Sequence, residues 1–390
     1  MSLNPHTDEL LQRGFSRRQL GRIASLLTAG AALPFYNEAA MAQQAQQDMQ
    51  RRAGRGGRAM DPNAVRINQN ENPMGPSKEG LEAIAKVAPM GWRYSPGNET
   101  GEMVRAISEI ENVPADHIAA FAGSSDPLHR VACAFTSPTA SWTMGDPGYQ
   151  SGAPAFIGSK VVKVPLRADF SHDAEAMIKA DPNAGAYYIC NPNNPSGTVT
   201  ARADIEYILA HKQKNAIVVL DEAYIHFSEK AQSGADLVAA GKDVMVLRTF
   251  SKIYGMAGLR MGFAMARPDL LAKLRQFGPG FSPLPLTTVA CATASLKAAN
   301  LVAERRALNK SIREDTLAFL DKRGVKCIAS ETNFFMMEVN RPGQEFAATM
   351  ASNGVIIGRV WPAWPTKVRV TVGSREDMAA FQKAFDKSWS

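Results

Sequence analysis

The stretch Thr249-Phe250-Ser251-Lys252-Ile253-Tyr254-Gly255-Met256-Ala257-Gly258-Leu259-Arg260-Met261-Gly262 decides how this chain is read. One lysine sits among hydroxyl and small residues, directly after the apolar run Val244-Met245-Val246-Leu247, and an arginine follows a Gly-containing turn. A lysine so placed can bond covalently to a carbonyl cofactor as a Schiff base. Thr249, Ser251 and Arg260 can hold an anion, most naturally a cofactor phosphate. Most lysines beside loops are solvated surface residues, and this window alone leaves both readings open.

Working outward, Val161-Val162-Lys163-Val164, Tyr187-Tyr188-Ile189-Cys190 and Ile217-Val218-Val219-Leu220 are further short runs, apolar on both faces. They suit strands of a parallel or mixed sheet covered by helices, which segments 201–214 and 268–276 can supply. Each run hands over to a polar cluster: Asn191 to Pro195, Asp221 to Tyr224, Thr249 to Lys252. Ligands of open α/β sheets bind beyond the carboxyl ends of the strands, where these clusters fall. Beyond Leu286 an Ala-, Leu- and Arg-rich helical stretch leads to strand-like Phe334 to Val339 and Val368 to Val372, which predicts a second, α+β domain. The expected division is a large domain over 98–290 and a small one over 291–390. The segment 64–97 either returns to the small domain or lies across a partner subunit.

A length of 390 residues with 45% hydrophobic and 21% charged content fits a soluble globular protein of two domains. The net charge of +7 is inflated by Arg51, Arg52, Arg55 and Arg58, which crowd a Gly-containing stretch without aromatic interleaving. That pattern reads as a solvated linker and not as a nucleic-acid arm. Cys133, Cys190, Cys291 and Cys327 are widely spaced and suggest neither a disulfide framework nor a metal site. At the other end, Ser16-Arg17-Arg18-Gln19-Leu20 precedes a modest apolar run from Ile23 to Phe35 and then Ala40-Met41-Ala42. Basic, apolar and A-x-A segments in that order predict an export signal over 1–42, cleaved after Ala42. Its paired arginines and low hydrophobicity resemble the twin-arginine type, which places the protein in the periplasm or otherwise outside the cytoplasm. A run this short predicts no membrane span, and residues 43–63 read as a disordered tether.

Asp221 ends an apolar strand, and a partly desolvated carboxylate wants a cationic partner. A protonated pyridine nitrogen is such a partner, and holding it protonated makes the ring an electron sink. Tyr224, one tight turn later, can reach the same ligand, and Asn194 can donate to a phenolate oxygen from a turn set by Pro195 and Gly197. Gly123-Ser124-Ser125-Asp126 opens a helical run and forms an anion site at its N-terminus, while Tyr149 offers a face for stacking on a flat heterocycle. Singly, each has an ordinary structural explanation: a strand-end turn, a helix cap, a core aromatic. Their joint occurrence in this order carries the weight.

In that order the chain resembles the fold-type I pyridoxal-phosphate enzymes, and among them the histidinol-phosphate aminotransferase branch. The matching segments are Asn68 to Pro73 with Gly75-Pro76, Arg93-Tyr94, Gly123 to Asp126, Asn191 to Gly197, Asp221 to Tyr224, Thr249 to Gly262 and Val368 to Gly373. The resemblance implies an α/β fold with a mostly parallel central sheet covered by helices, plus a smaller α+β domain, and pyridoxal 5'-phosphate as cofactor. It implies Lys252 as the Schiff-base lysine and proton shuttle, and Asp221 as partner of the pyridine nitrogen. Asn194 and Tyr224 would bond the phenolic oxygen; Ser124, Ser125, Thr249, Ser251 and Arg260 the phosphate; and Tyr149 would stack on the ring. Tyr94 resembles the residue that reaches the phosphate in a neighbouring subunit, which implies a homodimer. Arg369 resembles the clamp for the substrate α-carboxylate.

Gly354-Val355-Ile356-Ile357-Gly358-Arg359 departs from the pattern, with glycine where the family carries an arginine for the substrate phosphate and Arg359 one step later. Gly152 stands where the family tends to have tyrosine. The expected function is transfer of an amino group between an amino acid and a 2-oxo acid, without assured phosphate specificity. Decarboxylation, lyase action or oxidation on the same fold remain alternatives, as does a non-catalytic cofactor-binding protein.

Overall fold

The computed structural model describes residues 5–28, 63–278 and 283–389. Its strands are β1 (Val65–Ile67), β2 (Ile118–Phe121), β3 (Ser141–Asp146), β4 (Val161–Pro165), β5 (Ala184–Cys190), β6 (Ile217–Asp221), β7 (Val244–Thr249), β8 (Gly262–Met265), β9 (Phe334–Glu338), β10 (Val355–Ile357) and β11 (Lys367–Thr371). Seven of them form one sheet in the order β2-β8-β7-β6-β5-β3-β4. Only β8 runs against its neighbours, pairing antiparallel with β2 and β7, while every other pair is parallel. The apolar runs read from sequence become β4, β5, β6 and β7, and β5 to β8 are buried along their whole length. Burial on both faces explains why these strands are mostly apolar along their length, with the Val, Ile and Leu runs in β6 and β7, because helices cover the sheet on either side. The helices Arg202–His211 and Pro268–Arg275 lie within the segments expected to supply that cover.

The remaining strands make two small ladders, β9 with β11 antiparallel and β1 with β10 parallel. Phe335, Met337, Phe346, Val368, Val370, Phe381 and Phe385 form the second core between these ladders and their helices. Segment 64–97 divides its loyalty. β1 joins the small domain, but the helix Lys78–Val87 lies against Leu286–Lys297, where Ser77 Oγ meets Ser295 Oγ at 3.2 Å. A β-carbon on Gly80 would come within 2.8 Å of Cys291 Sγ, so the two helices approach through a glycine. Val289, Cys291 and Ala292 belong to the large-domain core, and the 290/291 junction therefore falls inside a helix of that core.

The stretch placed outside the fold by sequence is, over 5–28, a pair of helices, Pro5–Gln12 and Arg17–Thr28. Leu10, Phe15 and Ile23 are buried in the large-domain core, because the apolar faces of both helices find a partner surface there. The cleavage position at Ala42 and the tether from 43 to 62 lie outside the described residues. Among the described residues no single helix is long and apolar enough to cross a membrane. No group of three or more His, Cys, Asp or Glu side chains there is placed to hold a metal ion. Cys133, Cys190 and Cys291 are buried and Cys327 partly buried, none of them in a disulfide, and Cys190 Sγ donates to the Pro192 carbonyl at 3.3 Å.

Candidate active site

The decisive stretch is one loop tied off at its base. Thr249 ends β7 and pairs with Gly262 at the start of β8, so residues 250–261 project as a closed excursion from the carboxyl end of β7. Thr249 Oγ1 accepts from the Ser251 backbone N–H at 3.1 Å and donates to Ser251 Oγ at 3.0 Å. Arg260, held at φ +57°, donates from Nη1 to Ser251 Oγ at 3.3 Å and to the Ala257 carbonyl at 2.9 Å. The Gly123-Ser124-Ser125 turn closes on this group from the next strand. A β-carbon on Gly123 would lie 2.3 Å from Arg260 Nη2, and one on Gly262 would lie 2.7 Å from the Ser124 nitrogen. Glycine is required at both positions, since any side chain would push the two walls apart. Ser124 stands at the N-cap position of the helix Ser125–Phe135 without a side-chain cap bond, so the first-turn N–H groups, which lack carbonyl partners within the helix, open beside these side-chain donors. Ser124, Ser125, Thr249, Ser251 and Arg260 thus lie close together with hydroxyl, N–H and guanidinium donors, a set that can hold an anion.

Lys252 reaches back over the sheet. Its Nζ donates to the Gln69 carbonyl at 3.3 Å and stands 5.5 Å from the centre of the Tyr224 ring. Asp221, at the carboxyl end of β6, is 6% exposed. Its Oδ2 accepts from the Tyr188 hydroxyl at 2.7 Å and its Oδ1 from the Ala223 N–H at 3.2 Å. Burial first, and the Asp221 carboxylate second, push the Tyr188 phenol well above its usual range, so Tyr188 remains a donor. The two donors satisfy and orient this buried carboxylate.

The third wall is a relay of polar side chains. The Tyr224 hydroxyl accepts from Asn70 Nδ2 at 3.0 Å and Asn194 Nδ2 at 3.4 Å. Asn194 Oδ1 accepts from Arg369 Nη1 at 2.8 Å, and the other Arg369 arm donates to the Asn68 carbonyl at 3.0 Å. Arg369 is fully buried on β11, its guanidinium over the rings of Phe334 and Trp361 at 5.4 and 5.3 Å. Gly197, at φ +77°, turns the Asn194 loop where a β-carbon would strike Ser330.

Tyr149 is partly buried close enough to Arg260 and Tyr188 to interact electrostatically with both. The Arg359 guanidinium lies over the Trp361 ring, 4.7 Å from its centre. Tyr94 is the exception, being 84% exposed on the connection before the helix Glu99–Glu111. Tyr188, Asn70 and Thr371 were not singled out from sequence. Thr371 Oγ1 accepts from the Asn70 N–H at 2.9 Å and donates to Asn70 Oδ1 at 3.0 Å, which aims the Asn70 amide at Tyr224. The signal for Tyr188 lies in the register. Cys190 pairs with Asp221, so Tyr188, two residues back, shares a face with it.

A lysine, a buried carboxylate, a group of anion-holding donors and a forked cation thus gather at the carboxyl ends of the central-sheet strands and on β11. The sequence profile of aminotransferase class I and II matches residues 63–385. A histidinol-phosphate aminotransferase of Nitrosococcus oceani is 35% identical over 326 residues, covering 82% of this chain and 87% of that protein. An aromatic amino acid aminotransferase of Cutibacterium acnes is 33% identical over 328 residues, covering 81% and 91%. A solved structure of a candidate histidinol-phosphate aminotransferase from Erwinia carotovora atroseptica superposes with a TM-score of 0.79 at 30% identity, over 84% of this chain and 98% of that one. The histidinol-phosphate aminotransferase of Sinorhizobium meliloti, solved in complex with pyridoxal-5'-phosphate, shares the fold at 23% identity and a TM-score of 0.75, over 86% of this chain and 93% of that one. A profile match over 63–385, with relatives above 30% identity along most of both chains, means that the protein belongs to the class I and II aminotransferases.

Proposed function

We propose that this protein is a pyridoxal-phosphate-dependent aminotransferase for amino acids with aromatic or bulky apolar side chains, that it works as a homodimer, and that it is exported. The observation that carries the reaction is the unbroken line from Lys252 Nζ, over Tyr224, through Asn194 to Arg369. The donor set fits the cofactor: a hydroxyl, N–H and guanidinium cradle for a phosphate, a buried carboxylate for a ring nitrogen, and a tyrosine with an amide for a phenolic oxygen. When bound, pyridoxal phosphate supplies the carbonyl carbon that takes the amino group and a ring that disperses negative charge. Asp221 would pair with the protonated ring nitrogen, and the Tyr188 hydroxyl and the Ala223 N–H hold its carboxylate in place for that pairing. Lys252 Nζ would serve as the base that takes and returns the proton at the substrate α-carbon. Arg369 offers two parallel N–H groups to the α-carboxylate, and Asn194 holds that fork in plane.

The side-chain preference rests on the wall beyond Arg369. Gly358 cannot carry a phosphate-gripping side chain without a backbone shift, since a β-carbon there would lie 2.7 Å from the Arg369 carbonyl oxygen. In its neighbourhood stand Trp361, with Nε1 donating to the Gly148 carbonyl, and Trp364, edge-on to Phe170 at 5.4 Å. Such a surface favours an apolar or aromatic group over a phosphate ester. A panel of amino acids and histidinol phosphate, followed by cofactor absorbance, tests both statements. Absence of the pyridoxamine form with every substrate would refute transamination, and preference for histidinol phosphate would refute the side-chain assignment.

Exposed Trp92 and Tyr94 support the dimer, being large rings on one solvent-facing connection. Light scattering of the purified protein tests it, and a monomer at micromolar concentration would refute it. Export is supported by the Arg17-Arg18 pair ahead of an apolar segment. Cell fractionation with Arg17→Lys and Arg18→Lys together tests that reading, an unchanged distribution arguing against it.

A further inference from the structure

The N-terminal helices are held by a built interface. The Arg13 guanidinium donates from Nη2 to the carbonyls of Cys133 and Thr136, both at 2.9 Å. These oxygens lie at the C-terminal end of the helix Ser125–Phe135, where carbonyls lack partners within the helix and a cation is favoured. Phe15 is 2% exposed beside them. Gly14, at φ +87°, turns the chain against Thr139, and a β-carbon on Gly158 would strike Gln19 Nε2. The surface is shaped to its occupant: a left-handed glycine on the hairpin and another at the end of the helix Ala153–Ile157 permit the approach.

The helix that carries the arginine pair depends on this seat. Ser16 and Gln19 cap it reciprocally, the Ser16 N–H donating to Gln19 Oε1 at 2.8 Å and the Gln19 N–H to Ser16 Oγ at 3.3 Å. Arg17 and Arg18 then occupy its first turn, exposed, where positive charge opposes the helix dipole. A twelve-residue helix with that charge pattern is marginal in water by itself. We infer that the face formed by the helices Ser125–Phe135 and Ala153–Ile157 is a docking surface for the chain's own residues 5–24, and that Arg17 and Arg18 are presented on an ordered helix only once this face has folded. The inference stands on the contacts and not on the export reading. The interface is also separate from the chemistry. It engages the far end of a helix whose first turn holds the anion cradle, about 16 Å away at the rise of an α-helix.

Hydrogen–deuterium exchange of the full chain with cofactor bound tests the inference, comparing wild type with Phe15→Asp and Arg13→Gln. Amides of residues 20–24 are expected to exchange at least about 100-fold more slowly than in a free peptide, as a packed local unit does. Phe15→Asp should remove most of that protection, by about 10- to 150-fold for an exposed aromatic. Arg13→Gln, the milder change, should remove about tenfold by deleting charge-assisted bonds. Turnover should stay within twofold of wild type in both. Free-peptide exchange in wild type, or protection indifferent to both substitutions, overturns the docking. Loss of turnover in parallel with protection overturns the separation from the active site.

Discussion

Replacing Arg369 by lysine tests the substrate-facing half of the site without altering its charge. The guanidinium makes two divergent bonds, to Asn194 Oδ1 at 2.8 Å and the Asn68 carbonyl at 3.0 Å, while lying over Phe334 and Trp361. A lysine ammonium is a point charge on a flexible stem and cannot present two parallel N–H groups from a plane held between rings. One charge-assisted bond to the α-carboxylate is lost, at about 1.5–3 kcal/mol, which corresponds to about 13- to 160-fold in kcat/KM. Because Arg369 is fully buried, no bulk water replaces the missing donor, and the upper half of that range is expected. The assay is the single-turnover half-reaction with a good amino acid and with its decarboxylated amine. The loss should fall on the amino acid alone, so that discrimination between the two collapses by the same factor. An Arg369→Lys enzyme within twofold of wild type, or one that loses both substrates equally, would refute the assignment of this side chain to the carboxylate.

Other consequences follow from neighbouring residues. Tyr188→Phe deletes the hydroxyl that donates to Asp221 at 2.7 Å; kcat should fall about tenfold for one lost bond to a charged group, with a changed cofactor absorbance spectrum, and an unchanged spectrum would remove Tyr188 from its positioning role. Lys252→Ala should abolish borohydride trapping of cofactor on the protein while cofactor still binds through the cradle, and residual trapping would show a different reactive lysine. Burial pushes the His172 imidazole down to about 4 from its ordinary 6.5, against the opposing pull of Asp204. Between those values the unfolded chain binds a proton that the folded one refuses, so stability is complete above pH 6.5 and falls on acidification, by at most about 1.4 kcal/mol per pH unit. Urea unfolding at pH 7 and pH 5 should show that dependence reduced in His172→Gln, and identical slopes would refute it. Phe385→Ala should cost about 3–5 kcal/mol in the small domain, whose Phe346, Phe381 and Trp389 rings all meet Phe385, and a loss below 1 kcal/mol by thermal unfolding would contradict that packing.

The strands β5, β6 and β7 were readable because each is short, apolar and buried on both faces, so its composition reports its environment directly. Lys252, Asp221 and Asn194 were readable because they sit where such runs end, and Arg260 because the same loop brings it back. Tyr188 was hidden by being itself part of an apolar run, its hydroxyl explained only when β5 lies beside β6. Asn70 was hidden by distance. Its amide is aimed by Thr371, 301 residues away, and no local pattern encodes a contact of that span. The N-terminal segment carried two compatible patterns at once, a basic and apolar leader and an amphipathic hairpin, and composition does not distinguish them.

By itself, the sequence determined four strands of the sheet, the lysine that follows one of them and the family, since these depend on residue type and on spacing within one strand and its following loop. Only the tertiary structure decided that Arg369 reaches Asn194, that Gly358 leaves no room for a phosphate-gripping side chain, and that residues 5–24 have a seat on the large domain. Each of those is a meeting of surfaces from distant parts of the chain. Such meetings are set by the packing of whole domains, which no window of sequence contains.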